Sequence, residues 1–476
     1  MMTVKPPNIL VYCCKKTSAF ETISKVLMSC VGQGRYTFYQ LDESEPWQRH
    51  CALVVIASHP LDVSHRAVCQ IKQYRRDGGK ILSMGGYFSM LLPLDCYGEP
   101  PGPCLDDLCS TPSQLELGQG MAKSLLMIPS KAFHDKGILA KALMELGIDS
   151  KSDNCVQLQP LNVFSRNSSI LDQYFNSLKL ACSVDKNGEL IYPLGEGHPD
   201  SDVRILRGKC SESRFYDDHK DIDFPEVFVH SKAVTSTQDL LWSNSVLRQD
   251  VSSMAILADI QIIGKGRGKN QWISPNGSMS LSFYFTLQRN TLLTKKLPFV
   301  QYIIALATIK AINNAFATIP ALKIKWPNDI YTINGEKIGG VLVNCSTNGT
   351  LTQLCVGIGL NVNNDEPTIS LAKLTGETIP VPKLASKVCH AFIEEVDLFN
   401  ELGYEQFVES FCQNWLHQDK KVKISLGNVN CDAIIKSIDS DGYLSVMNLT
   451  TQKSVSVQPD GNSFDMMENL IAVKSS

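Results

Sequence analysis

The sequence contains sixteen cysteines but no CxxC pair, and its nine histidines form no ligand pair at helical spacing. The usual spacing of a zinc site is therefore missing, and no metal ligands are assigned. No stretch approaches the ~20 consecutive apolar residues of a membrane-spanning helix. The opening MMTVKPPNILVYCCKK holds an apolar run too short for a secretory signal and reads as a first strand. Reduced, mostly buried thiols in a cytoplasmic protein are the expectation that follows, with a mitochondrial fraction left open. Nor is there an excess of either charge: 45 basic against 48 acidic residues leave a formal net charge of −3, which provides no whole-molecule field to attract nucleic acid. No internal repeat is visible.

What is present is enough chain for about three domains at ~100–200 residues each. At 43% hydrophobic and 20% charged, the composition is that of a globular protein. Apolar runs at Ile9–Cys14, Thr37–Leu41, Ala52–Ala57 and Lys80–Met84 alternate with helical patterns over Ser18–Cys30 and Val63–Arg76. Such alternation predicts a doubly wound α/β domain. Cys96–Gln119 is rich in proline and glycine and reads as a loop or insertion, before a strand at Ser124–Pro129 and a helix at Lys131–Leu146. Residues 1–184 are assigned to this domain. The polar stretch 185–225 reads as a linker with short ordered pieces, its boundary near Phe224-Pro225.

A second unit is expected over 226–419. Val227–Val229 opens it as a strand, and a helix begins at Thr235-Ser236-Thr237-Gln238-Asp239 and runs to about Leu247, with Ser236 or Thr237 as its cap. Leu297–Ile319, Leu384–Asn400 and Glu405–Trp415 are further helices. Short strands then fill 420–476, as in a small barrel, with Asp439-Ser440-Asp441-Gly442 as a tight turn.

Three stretches carry the chemistry. Gln261–Asn276, QIIGKGRGKNQWISPN, places Gly264, Gly266 and Gly268 around Lys265 and Arg267, with Trp272 beside them. Glycines let a backbone approach a ligand and turn its amides toward an anion, and arginine offers a planar fork for phosphate or carboxylate. Apolar strands flank the loop, so it opens no helix, and this excludes the dinucleotide fingerprint and the Walker A loop. Lys325–Tyr331, KWPNDIY, is followed by Gly335–Gly340, GEKIGG, which brings Asp329 and Lys337 within a short hairpin of each other. Val356–Asn364, VGIGLNVNN, is a glycine-interrupted strand ending in asparagines.

In this order and spacing the three stretches resemble the catalytic domain of biotin protein ligases, and within them the eukaryotic form, holocarboxylase synthetase. The resemblance covers residues 226 to 476. It departs at Lys269, where the family more often has glycine or arginine. It implies an α+β catalytic domain of the class II aminoacyl-tRNA synthetase type and an SH3-like domain at the C-terminus. The N-terminal region resembles the class I glutamine amidotransferase-like domain found in many eukaryotic members. Where that family places a nucleophilic cysteine, the turn here reads Ser83-Met84-Gly85-Gly86-Tyr87, with Cys96 the nearest thiol downstream. A thioether is no nucleophile, so this domain is expected to be catalytically inactive.

The resemblance further implies that ATP activates biotin as biotinyl-5′-AMP. A lysine on the carrier domain of a carboxylase (acetyl-CoA, pyruvate, propionyl-CoA or methylcrotonyl-CoA type) then takes the biotinyl group. Mg²⁺ would ride on the phosphates. Ser236, Thr237, Gln238, Gln261, Gly264 and Gly266 match positions that contact biotin or its adenylate, and Trp272 one that covers the biotin tail. Arg267 and Lys265 can hold phosphate oxygens, and Lys337 can bridge the two reacting groups. Asp329 matches an acidic residue near the attacking amine, with an ion pair to Lys325 as the structural alternative. Asn361 is a further candidate. Two other readings are weighed: a lipoate–protein ligase of the same architecture, whose motifs differ, and a nucleic-acid-binding module on GKGRGK, which the charge balance disfavours.

Overall fold

The computed structural model describes residues 8–13, 17–31, 36–43, 47–48, 51–57, 64–84, 125–128, 135–148, 158–184, 189–191, 203–209, 214–216, 224–268, 270–288, 290–316, 319–364, 368–426, 429–459, 462–465 and 470–473. It divides into two compact units, Val4–Cys155 and Val156–Ser476.

In the first unit, β1 (Asn8–Tyr12), α1 (Thr17–Met28), β2 (Thr37–Gln40), β3 (Cys51–Ile56), α2 (His65–Arg76), β4 (Ile81–Met84), β5 (Leu125–Ile128) and α3 (Lys136–Glu145) follow in order. The five strands are all parallel, in the order β2-β1-β3-β4-β5. Alternation along β1 and β3 sends Ile9, Val11, Leu53 and Val55 to one face, against Leu27 of α1 and Leu139 and Leu143 of α3. Leu10, Val54 and Ile56 go to the other, against Ile71 and Tyr74 of α2. Helices on both faces of a parallel sheet are the doubly wound arrangement expected from the apolar runs. The turn after Met84, with Cys96 and the insertion to Gln119, lies outside the described residues.

The second unit begins with β6 (Leu161–Phe164), α4 (Ser168–Ala181), β7 (Ser183–Val184), β8 (Leu190–Ile191) and β9 (Arg204–Arg207). This corrects the expected boundary. The described elements within 161–207 are neither the end of the first domain nor a free linker, because β6 pairs antiparallel with β10 (Val227–Val234) and parallel with β9. Tyr174 of α4 is buried and donates its hydroxyl to the Leu247 carbonyl at 3.0 Å. Four-residue strands carry little pattern of their own, and the polar sequence between them imitates a linker.

Next come α5 (Thr237–Trp242), β11 (Ser253–Lys265), β12 (Gln271–Ser274), β13 (Met279–Gln288), α6 (Leu292–Lys295), α7 (Val300–Ala315), β14 (Leu322–Lys325), β15 (Asp329–Thr332), β16 (Lys337–Asn348), β17 (Leu351–Leu360), α8 (Leu371–Thr375), α9 (Val381–Leu402) and α10 (Tyr404–Gln413). The strands form one mixed sheet, β14-β15-β16-β17-β13-β11-β10-β6-β9-β8-β7, with β12 folded back on β11. Helix α5 stops short of the expected Leu247. The Asn244 side chain instead accepts from the Leu247 amide at 3.3 Å, the local competition by which asparagine ends helices.

One face of this sheet, through Leu257, Leu281, Phe283, Val356 and Ile358, packs on α7 and α9. On α7, Ile303, Ala307 and Ala311 are buried, and Lys310 pairs with Glu395 of α9. The opposite face, through Met254, Ile256, Ala258, Tyr284 and Cys355, packs on α5, with α4 in the same core. Helix α5 covers only part of that second face, and the glycine-bearing strands lie beside it.

The C-terminal strands β18 (Lys421–Leu426), β19 (Val429–Ile438), β20 (Leu444–Asn448), β21 (Ser454–Val457), β22 (Asn462–Asp465) and β23 (Leu470–Val473) form a six-stranded sheet, β21-β20-β19-β18-β23-β22. Its apolar side chains join the core of α7 and α9. A polar seam also ties the two together. The Trp326 indole donates to the Tyr302 hydroxyl at 3.1 Å, and that hydroxyl donates to the Gly442 carbonyl at 2.8 Å. The backbone amide of Trp326 donates to His417 Nε2 at 2.9 Å, and the His417 ring meets Phe464 edge-on.

Candidate functional site

The glycine loop is more strand than loop. β11 continues through Gly264 to Lys265, and β12 returns against it, with Gly264 opposite Trp272. A Cβ on Gly264 would stand 2.2 Å from the Trp272 carbonyl, so this glycine is required for close pairing. Gly268, at φ +63°, is the one of the three glycines in the left-handed region. The expected inward nest of amides is not formed at Gly266, whose N–H donates to the Asn270 carbonyl at 2.8 Å and closes the hairpin. Lys269 lies outside the described residues.

Folding back in this way lays Trp272 over the sheet. A Cβ on Gly359 of β17 would fall 2.4 Å from the indole, and one on Gly357 would fall 2.5 Å from Gln238 Oε1. The two glycines of VGIG thus make a floor, with an indole above one and a carboxamide above the other. The Trp272 Nε1 and Gln238 Oε1 atoms are buried and have no hydrogen-bond partner among the described residues. A buried, unpaired donor and acceptor over a bare backbone floor are what a pocket built for a polar ligand presents.

The remaining expected residues gather around this floor. Ser236 caps α5 by accepting from the Asp239 amide at 3.3 Å. The Thr237 amide and hydroxyl both reach Gln261 Oε1, at 2.8 and 3.1 Å, and Gln261 Nε2 donates to Ser274 at 2.9 Å. Gln261 therefore locks α5 to the hairpin. Lys337, at the start of β16, donates to Asp329 Oδ1 at 2.7 Å, and its ammonium lies 5.5 Å from the centre of the Trp272 ring. Asn361 donates from Nδ2 to the Lys337 carbonyl at 3.4 Å. Lys325 is the cross-strand neighbour of Asp329 and lies over the Tyr331 ring. Lys265 pairs with Asp239 of α5 at 3.3 Å, where both side chains are partly exposed. Arg267 donates to the Pro459 carbonyl, on the loop after β21.

The three sequence stretches therefore meet at one place, with Lys337, Trp272 and the Gly357–Gly359 floor together. Sequence reasoning missed Ser282, Asn344, Ser274 and His417. Ser282 had a signal, being a serine at a regular alternate position of an apolar strand and wholly buried. Burial is the largest cause holding the His417 imidazole down to about 3, followed by Lys325 and Lys420.

Residues 231–361, which hold all but the C-terminal part of this geometry, match the biotin/lipoate A/B protein ligase family. A relative in Arabidopsis thaliana, biotin–protein ligase 2, is 31% identical over 265 residues, covering 53% of this chain and 78% of its own. The chain belongs to this ligase family. A human biotin–protein ligase is 25% identical over 99% of this chain and 78% of its own length. One from Schizosaccharomyces pombe is 34% identical over 51% of this chain, which spans only 43% of that relative. The solved biotin protein ligase from Aquifex aeolicus in complex with biotin and ATP is also similar, at 25% identity and a TM-score of 0.39, over 48% of this chain and 94% of that one.

Proposed function

We infer that this chain is an ATP-dependent biotin–protein ligase. The observation that carries the reading is the glycine floor roofed by Gln238 and Trp272, with Lys337 at its edge. An unpaired acceptor and an unpaired donor suit a cyclic urea, which has both N–H and C=O groups; a dithiolane ring has neither.

A carboxylate does not acylate an amine at neutral pH without activation. One biotin carboxylate oxygen attacks the α-phosphorus of ATP, the bond to the bridging oxygen breaks, and pyrophosphate leaves. The ε-amine of a carrier-domain lysine then attacks the acyl carbon of biotinyl-5′-AMP, loses a proton, and AMP departs. The protein contributes position and charge. Lys337 leaves Asp329 to bridge carboxylate and phosphate. Asp329, released from Lys337, orients the incoming amine and takes up its proton. Arg267 and Lys265 hold phosphate oxygens, for which each must exchange its present partner, the Pro459 carbonyl and Asp239. Mg²⁺ carried by the phosphates would offset charge between them. The acceptors are biotin carboxyl carrier domains of carboxylases. We read the C-terminal sheet as the family's SH3-like domain, and the N-terminal unit as an amidotransferase-like scaffold without a nucleophile.

Labelled biotin should enter a carrier-domain peptide only with ATP, and not when the target lysine is replaced. Lys337→Ala should slow biotin-dependent pyrophosphate exchange by roughly ten- to a hundredfold, the loss of a charge-assisted contact worth ~1.5–3 kcal/mol. Exchange unchanged in that variant would remove Lys337 from the mechanism.

A further inference from the structure

The hairpin that carries Asp329 and Lys337 is not regular. Where β15 pairs with β16, Asp329 lies opposite Gly340 and Ile330 opposite Gly339, but Tyr331 lies opposite Lys337, so Ile338 is skipped. Side chains alternate between the two faces of a strand, and one extra residue reverses the phase beyond it. The bulge sends Ile338 into the core with Ile330. Lys337 comes out on the other face with Tyr331 and Asp329. There its ammonium donates to Asp329 Oδ1 at 2.7 Å and lies over the Trp272 ring.

Two features fix where the Asp329 carboxylate goes. Just before it, Asn328 is clamped to β16 twice. Its Nδ2 donates to the Val341 carbonyl at 2.7 Å, and its own carbonyl accepts from the Val341 amide at 2.9 Å. Directly across from Asp329 stands Gly340, where a Cβ would fall 3.0 Å from Asp329 Oδ1 and 3.9 Å from Lys337 Cε. The carboxylate thus leans into the place of the missing side chain. The backbone of Gly340 is not left-handed, so the close approach, and not φ, is what calls for glycine. Gly339 faces the core instead, where a Cβ would fall 2.5 Å from the Gly359 carbonyl.

We propose that Gly340 is a positioning residue for the transfer step, its bare Cα letting Asp329 lean over β16 to the place where it meets first Lys337 and then the incoming amine. This rests on the biotin-ligase reading and deepens it. Gly340 acts through Asp329. In the first half-reaction Lys337 leaves Asp329 for the biotin carboxylate and the α-phosphate, so adenylate formation tolerates a displaced carboxylate. In the second, Asp329 orients the amine and takes its proton as the amide bond forms and AMP leaves, so transfer does not.

The test uses the full chain. Pyrophosphate exchange reads the first half-reaction, and single-turnover transfer from biotinyl-5′-AMP to a carrier-domain peptide reads the second. Gly340→Ala should lower the transfer rate at saturating peptide by about five- to fiftyfold, the scale of a small misplacement of a reacting group. The half-saturating peptide concentration should stay within about twofold, and exchange within about threefold. Asp329→Ala should slow transfer at least as much. Adding Gly340→Ala to it should change transfer by less than about twofold, because no carboxylate is left to displace. Transfer unchanged in either single variant, exchange and transfer lowered equally in Gly340→Ala, or additive effects in the double variant would each overturn the proposal. With a wild type that biotinylates the peptide, such a result overturns this inference alone. A wild type that neither exchanges nor transfers overturns the ligase reading with it.

Discussion

A chain cut where the composition suggests, so that it begins at Glu226, should not make a working ligase, whereas one beginning at Val156 should. The cut at 226 removes Leu161 and Val163 of β6 and Leu171, Tyr174 and Leu178 of α4, all at most 5% exposed. These side chains share a core with Leu240 and Leu241 of α5 and with Met254 and Ile256 of β11. At about 1.5–3 kcal/mol for each large side chain buried, their loss comes to roughly 7–15 kcal/mol. That is as large as the ~5–15 kcal/mol net stability of a typical domain. Helix α5 carries Thr237 and Gln238, so the pocket would lose its wall together with its support. Both fragments can be purified and compared by urea unfolding and by biotin-dependent pyrophosphate exchange. The 156–476 chain should unfold cooperatively and exchange within about threefold of the full protein, while the 226–476 chain should aggregate or exchange at background. A 226–476 fragment that matches the longer one in both assays would show that β6 and α4 are ornament to the sheet.

Gly359→Ala should raise KM for biotin by about tenfold or more, because a Cβ 2.4 Å from the Trp272 ring displaces the indole that roofs the floor; unchanged kinetics would mean that Trp272 does not cover the substrate. Stability should also fall with acid through His417. Its imidazole is held down to about 3 in the fold, against about 6.5 in an unfolded chain, so below pH 6.5 only the unfolded chain takes up the proton. The contribution is intact above pH 6.5 and lost progressively toward pH 3, amounting to roughly 2 kcal/mol at pH 5. Urea unfolding at pH 7.5 and 5 should show that difference shrinking in His417→Gln, and an equal difference in the two proteins would refute the assignment.

The sequence by itself determined what is local. Apolar runs alternating with helical periods are enough to specify the parallel sheet of the first unit, because each strand and helix buries its own face. The glycine stretch, KWPND with GEKIGG, and VGIGLN were legible as chemistry, since each concentrates unusual residue types within a short span. Lys337 and Asp329 are eight residues apart on one hairpin, and their pairing at 2.7 Å follows from that closeness.

Only the tertiary structure decided which distant groups face one another. Gln238 of α5 reaches Asn344 of β16 and Cys355 of β17, Thr237 reaches Ser282 of β13, and no single one of these residues signals its partner. Arg267 meets Pro459, 192 residues away, through a hairpin whose reach depends on the pairing of β11 with β12. The unit boundary was misread for the same reason. A four-residue strand such as Leu161–Phe164 gains its stability from β10, more than sixty residues later, and a partner that remote leaves no periodicity in the segment itself.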